Sequence, residues 1–111
     1  MQGFNDALGL APGENGTVLL DAGAAHEVAP DTVHFAVLAT LAEVAAARAV
    51  GAPVVPAAVN VQLVSRARAG RLVGRGRLLR RGRRLAFAEG EVTQEGELVA
   101  KATITFALLE G

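Results

Sequence analysis

The sequence predicts an α+β domain in which one long central helix is wrapped by a curved antiparallel sheet of about five strands. Residues 33–50 run without Gly or Pro and are apolar on nearly every side, which reads as a long buried helix. The segments after them alternate or are β-branched, with short turns between, which reads as an antiparallel sheet. The apolar content is built from small residues, 23 Ala and 13 Gly against 4 Phe and no Trp or Tyr, so backbones must pack closely. At 111 residues the chain fits a single domain, 1–111, and 51% hydrophobic residues exclude disorder.

Along the chain, residues 13–16 (GENG) form a turn signal, and the apolar run 17–20 reads as a first short strand. Residues 29–32 (APDT) form a loop in which Asp31 or Thr32 is placed to cap the helix. Gly51 and Pro53 end that helix, the expected order of terminator and breaker. Past His34 its only polar positions are Thr40, Glu43 and Arg48, and a helix apolar all round is buried all round. In so small a chain this requires a sheet curled about it. Residues 54–65, 71–80, 85–94 and 98–109 supply that sheet, with turns at Ala69-Gly70, Gly82 and Glu95-Gly96. Turns this short make the last three strands antiparallel neighbours. Parity puts Leu72, Gly74, Gly76 and Leu78 on one face of their strand, and Ala86, Ala88, Gly90 and Val92 on one face of the next. That face is small and suited to close approach of a helix, whereas the opposite face is charged.

Composition removes most catalytic chemistries. With no Cys there are no disulfides, thiolate metal sites or Cys nucleophiles, and two His are too few for a multi-histidine metal site, so no metal is expected. Residues 1–10 carry Asp6 and no basic residue, unlike the start of a signal peptide, and the 35–50 stretch is too short and too rich in Ala to span a membrane. These features are those expected of a cytoplasmic protein without membrane contact.

Glu43 is the most informative residue. It sits mid-helix between Ala42 and Val44, where an unpaired carboxylate costs several kcal/mol or is forced toward neutrality, on the order-of-magnitude scale of buried charge. Desolvation would raise its pKa toward a value useful to a general base. A plainer reading pairs it with Arg48 or another arginine, or lets it reach the surface at the sheet edge. His34, just before the helix, would cap backbone groups or line a cleft. Ser65, the only serine, lacks a GxSxG-type turn and reads as a strand-end hydroxyl bonded to backbone. Asn60 and Gln62 lie one strand alternation apart and would pair across a two-fold or reach a pocket if their strand lies at a dimer edge.

Nine of the ten arginines fall between Arg66 and Arg84 with no acid among them. Phosphate binding is one reading, with Arg66, Arg68 and Arg71 as the contacts; a solvated or oligomer-forming sheet face is the other. Glu89 and Glu91 fall near the register of Arg77 and Arg75, so cross-strand pairing would consume much of the charge. The formal net charge of zero and the few aromatics argue against nucleic acid.

Residues 34–45, HFAVLATLAEVA, resemble the HGGVLATLADTA-type signature of the PaaI-like acyl-CoA thioesterases of the 4-hydroxybenzoyl-CoA thioesterase superfamily. Residues 59–70 (VNVQLVSRARAG), 78–86 (LLRRGRRLA) and 98–108 (LVAKATITFAL) resemble later strands of that family, so the likeness spans roughly residues 29–109. It implies the hotdog fold, a homodimer often paired into a tetramer, and active sites at the dimer interface. It also implies an acyl-CoA substrate, with coenzyme A as part of the substrate and no separate cofactor. The family's helix carboxylate falls on Glu43, and its HGG positions, whose N–H groups polarise the thioester carbonyl, fall on His34, Phe35 and Ala36. Both glycines of HGG are replaced here, by Phe35 and Ala36. The upstream Asn and Gly positions hold Val28 and Asp31, with His26 two residues from Val28 as a substitute polar group. Thioester hydrolysis is therefore the expected activity, with a hotdog domain that binds acyl-CoA without hydrolysing it as the alternative. A purely structural oligomer with a partner-binding sheet face is a third.

Overall fold

Gly51 adopts the left-handed conformation (φ 75°) directly after the long helix, which glycine tolerates without strain, and the chain turns from there into the sheet. The computed structural model describes residues 3–109. Met1 and Gln2, which open the segment without a basic targeting signature, and Glu110 and Gly111, which close the predicted 1–111 domain, lie outside the described residues. The elements run α1 (Phe4–Leu8), β1 (Ala11–Pro12), β2 (Val18–Ala22), β3 (Glu27–Ala29), β4 (Thr32–Val33), α2 (Phe35–Val50), β5 (Val54–Leu63), β6 (Gly70–Arg81), β7 (Leu85–Gln94) and β8 (Glu97–Leu108). Short 3-10 turns at Glu14–Gly16 and Ala24–His26 flank β2.

Six strands form one antiparallel sheet in the order β1-β2-β6-β7-β8-β5, and β3 and β4 form a separate two-stranded ribbon. The five predicted strands are β2, β5, β6, β7 and β8, with ends shifted by a few residues. The two-residue β1 is the sixth, too short to leave a periodic signal. The α2 helix lies across the concave face of β6, β7 and β8. Gly76 and Gly90 make that possible: a Cβ on either would collide with the backbone carbonyl of Ala45 or Ala42. Phe106, Leu72, Leu20 and Leu41 fill the remaining core.

Three expectations are corrected. The helix begins at Phe35, because Thr32 and Val33 pair with β3 instead. Its cap is accordingly His34, while Asp31 sits in the tight turn of the ribbon with φ 53°. Nor is the helix buried all round. The sheet curls over one side only, and Phe35, Ala39, Glu43 and Ala47, spaced at four residues, form an open stripe with Ala36 and Thr40. Leu78 keeps the face it shares by parity with Leu72, opposite the buried Ala88, but is partly exposed there, and the register shifts only after it, between Leu78 and Arg80.

Candidate active site on the open face of the central helix

Ala42, buried completely, and Ala45 and Ala46 seat the inner side of α2 on the sheet, which fixes Glu43 on the opposite, half-buried side. The Glu43 carboxylate makes no hydrogen bond or ion pair among the described residues, Arg48 included. Burial alone pushes its pKa above the ordinary value of 4.5. Among the described residues no fully buried side-chain N or O atom lacks a partner, so this carboxylate keeps access to solvent. A carboxylate so placed is open to a water molecule or a substrate carbon. One turn earlier, the Thr40 hydroxyl donates to the Ala36 carbonyl at 2.8 Å.

The start of the helix is organised by His34. Its Nδ1 accepts the Ala36 N–H at 3.0 Å, and its own carbonyl accepts the Val37 N–H at 3.0 Å. Its ring stacks on Phe35 with centroids 4.9 Å apart, and the Phe35 side chain is 59% exposed. Among the described residues the Phe35 N–H has no partner, as expected of a first-turn donor. Capping of backbone groups is one of the two roles the sequence offers for His34; that the capped donor is the Ala36 N–H is what the sequence leaves open. The signal for the cap is the His directly before the helix, since His can accept at N2 as Asn or Ser does.

The flanking ribbon supplies little polar chemistry. Val28 is 62% exposed. Both nitrogens of His26 are used by backbone: Nδ1 accepts from the Gly23 N–H at 3.0 Å, and Nε2 donates to the Leu8 carbonyl at 2.7 Å. Asp31 Oδ1 accepts the Ala69 N–H at 3.4 Å. Ser65 donates to the Leu98 carbonyl at 2.9 Å, the structural role read from its context. Asn60 and Gln62 hydrogen-bond each other on β5, which is an edge strand with an unpaired outer side.

The three arginines expected at a phosphate differ in their freedom. Arg71 is held by Asp21 through two bonds of 2.8 and 3.0 Å, which pulls the Asp21 pKa down and pushes that of Arg71 up. The Arg68 guanidinium lies 3.9 Å from Asp31, and its backbone is clamped by Gln94. Arg66 makes no ion pair among the described residues. On the outer sheet face the register pairs Arg77 with Glu89 and Arg75 with Glu91, as expected. The Arg77–Glu89 bridge closes at 2.7 Å and holds Glu89 below the usual carboxylate range, while Lys101 joins Glu89 and Glu91.

Residues 24–107 match the family of the acyl-CoA thioesterase N-terminal domain. The chain belongs to this thioesterase family. Its fold is the hotdog, one helix in a curled antiparallel sheet, and its relatives are PaaI-like. It is 32% identical to a single-residue variant of the phenylacetic acid degradation protein PaaI from Thermus thermophilus, covering 96% of this chain and 98% of that one with a TM-score of 0.82. The TT0310 protein from the same organism is 33% identical, with 98% and 100% covered and a TM-score of 0.82. The BH2602 protein of Bacillus halodurans, solved with CoA, shares the fold at 21% identity, with 95% and 74% covered and a TM-score of 0.84. No curated protein matches the chain. Among the described residues no helix of this thioesterase-family chain is long and apolar enough to cross a membrane.

Proposed function

We propose that the chain hydrolyses an acyl-CoA or similar acyl thioester, with Glu43 as the general base or nucleophile. The carrying observation is the unpaired, half-buried Glu43 carboxylate, whose raised pKa comes from burial alone. In the general-base route Glu43 takes a proton from water as the water oxygen bonds to the thioester carbon. The resulting oxyanion accepts the Phe35 N–H, with the Ala36 N–H available once His34 releases it, at the positive end of the helix dipole. Collapse breaks the C–S bond. The proton held by Glu43 passes to the departing sulfur, leaving a carboxylic acid and the free thiol of CoA.

One helix cannot supply both groups to one thioester. Phe35 and Glu43 are eight residues apart on α2, about 12 Å along its axis, whereas both must reach the same carbonyl. The donor and the carboxylate therefore come from two copies of the chain. The open edge of β5, with Val55, Val59 and Leu63 exposed, and the uncovered stripe of α2 are the surfaces such a homodimer would bury.

A second reading, a domain that binds acyl-CoA without hydrolysing it, draws on the helix start. There Phe35 replaces a glycine and His34 occupies the Ala36 N–H. Thiol release from a panel of acyl-CoAs, monitored with a thiol-reactive dye, separates the two. The chain has no Cys and so adds no thiol background. Turnover lost in Glu43→Ala supports hydrolysis through Glu43. Full turnover in that variant sinks the mechanism, and binding without turnover by the unsubstituted protein selects the second reading.

A further inference from the structure

We infer that His26 is a positioning residue for the oxyanion donor at the start of α2, which it ties to the N-terminal helix α1. The inference rests on the acyl-thioester reading above for what the donor does, and on hydrogen bonds of this chain for the tie itself. Each polar group of His26 is engaged. Its N–H donates to the Gly23 carbonyl at 2.9 Å, and its Nδ1 accepts the Gly23 N–H at 3.0 Å. Its Nε2 donates to the Leu8 carbonyl at 2.7 Å, 18 residues back, and its own carbonyl accepts the His34 N–H at 2.9 Å. These partners fix the tautomer. An N–H can only donate, so Nδ1 is bare, and a carbonyl can only accept, so Nε2 carries the proton.

The bonds run from a firm anchor to the helix start. Leu8 and Leu10 pack against the core and hold the end of α1 in place. The Leu8 carbonyl is one of the last-turn carbonyls that a helix leaves without an internal partner, so it is free to accept. Between this anchor and α2 lies the β3–β4 ribbon, a separate pair of strands, and two strands alone are marginal in water. Its β4 side is held by the Val33 N–H on the Ala67 carbonyl at 2.9 Å, and its turn by Asp31. Among the described residues, the His26 ring is the hydrogen-bonded tie of the β3 side to a distant part of the chain. What the tie controls is one peptide plane. The His34 N–H is held by the His26 carbonyl, the His34 carbonyl by the Val37 N–H, and the His34 ring by the Ala36 N–H. The Phe35 N–H shares a planar peptide with the His34 carbonyl, so its aim at an oxyanion is set by these bonds. Such a donor acts through its placement in the transition state, so a small displacement slows turnover without weakening substrate binding.

The test compares His26→Asn and His26→Gln with the parent, each as the full chain. An asparagine oxygen falls near the place of Nδ1 and keeps the Gly23 bond, whereas a glutamine nitrogen falls near that of Nε2 and keeps the Leu8 bond. Steady-state turnover of an acyl-CoA is measured beside amide hydrogen exchange, by NMR, of His34 and of Ile104 in the sheet. In His26→Asn, kcat should fall about 10- to 100-fold with KM within about twofold of the parent, the mark of a misplaced donor. His34 exchange should speed up about tenfold or more while Ile104 keeps its parental rate, and His26→Gln should recover most of both. Parental kcat or parental His34 exchange in His26→Asn overturns the inference. Equal losses in the two variants overturn it too, by denying the Leu8 bond its role, as does a matching rise in Ile104 exchange, which reduces His26 to general stability. If the parent hydrolyses no thioester, the hydrolytic reading fails by itself. His34 exchange raised in His26→Asn and restored in His26→Gln then upholds the tie, and unchanged exchange overturns it.

Discussion

Gly90 on β7 lies directly under the Ala42 carbonyl of α2, closer than any side chain allows, and Ala42 is the residue before Glu43. The height of the proposed catalytic carboxylate above the sheet is therefore set by a glycine on the other side of the helix. Gly90→Ala should force α2 off the sheet and cost about 1–3 kcal/mol by overpacking. Gly23, with open space around its would-be Cβ, is the control, and Gly23→Ala should stay within about 0.5 kcal/mol of the parent. Urea unfolding of the three proteins measures both. Equal stability of Gly90→Ala and its parent would refute the close-packing account.

The raised pKa of Glu43 has two consequences of opposite value. Hydrolysis needs its ionised form, so kcat/KM should climb with pH through a midpoint above the ordinary 4.5 and then level. Glu43→Gln should lower kcat by about 10²–10⁴-fold. Folded protein binds the Glu43 proton more tightly than unfolded chain. The stability tied to it is therefore complete below the unfolded pKa and is lost as pH rises through the folded one. Glu43→Gln removes that charge, so its Tm should exceed the parent's at pH 7 and the gap should close in acid. A variant that is both less active and less stable at pH 7 would mean that the carboxylate has a structural partner.

Much of this architecture was legible because period and composition carry it. The alternation of Ala86, Ala88, Gly90 and Val92 gave the face on which α2 sits, and the Arg77–Glu89 register followed from hairpin counting. Glu43 stood out as the lone acid in an apolar helix. What escaped was short or local. Neither β1 nor the β3–β4 ribbon is long enough to show a period, and the cap moved from Asp31 to His34 because ribbon pairing outweighed helix propensity at Thr32 and Val33. The freedom of individual arginines was equally hidden: Asp21 lies fifty residues from Arg71 and meets it only because β2 pairs with β6.

His34 holds the first turn through one acceptor, its Nδ1 on the Ala36 N–H. His34→Ala should cost about 1 kcal/mol, the common value of a lost cap, whereas His34→Asn, which keeps an acceptor there, should lose a few tenths at most. Thermal unfolding of the pair decides it. Equal loss in both would assign the stabilisation to stacking on Phe35 rather than to the cap.

On the outer face Glu89 is shared by Arg77 and Lys101. Its depressed pKa means that its contribution is present above the unfolded pKa and disappears as pH falls through the folded value. Arg77→Ala should cost less than about 1 kcal/mol at pH 7, as a solvent-exposed pair does, and Lys101 should retain part of the effect. Tm of parent and variant, compared from pH 7 to pH 2, should converge at the acid end. A difference that persists there would place the effect in packing of the arginine stem.

Phe35 offers the most direct handle on why this chain departs from its relatives at the helix start. Its ring is 59% exposed and stacks on His34 rather than on the core, so removing it leaves no internal cavity. Phe35→Gly should cost no more than about 1 kcal/mol, the helix penalty of glycine. Its N–H, the unpartnered donor, survives the change. If the ring stands in the path of the acyl group, kcat/KM for bulky acyl-CoAs should rise about tenfold or more in Phe35→Gly while small acyl groups change little, the pattern expected when a pocket wall is removed. A parent without turnover and a variant with it would make Phe35 the residue that silences the site. Identical rates across the acyl panel would put the ring outside the acyl path, and the role of Phe35 would then reduce to its backbone N–H.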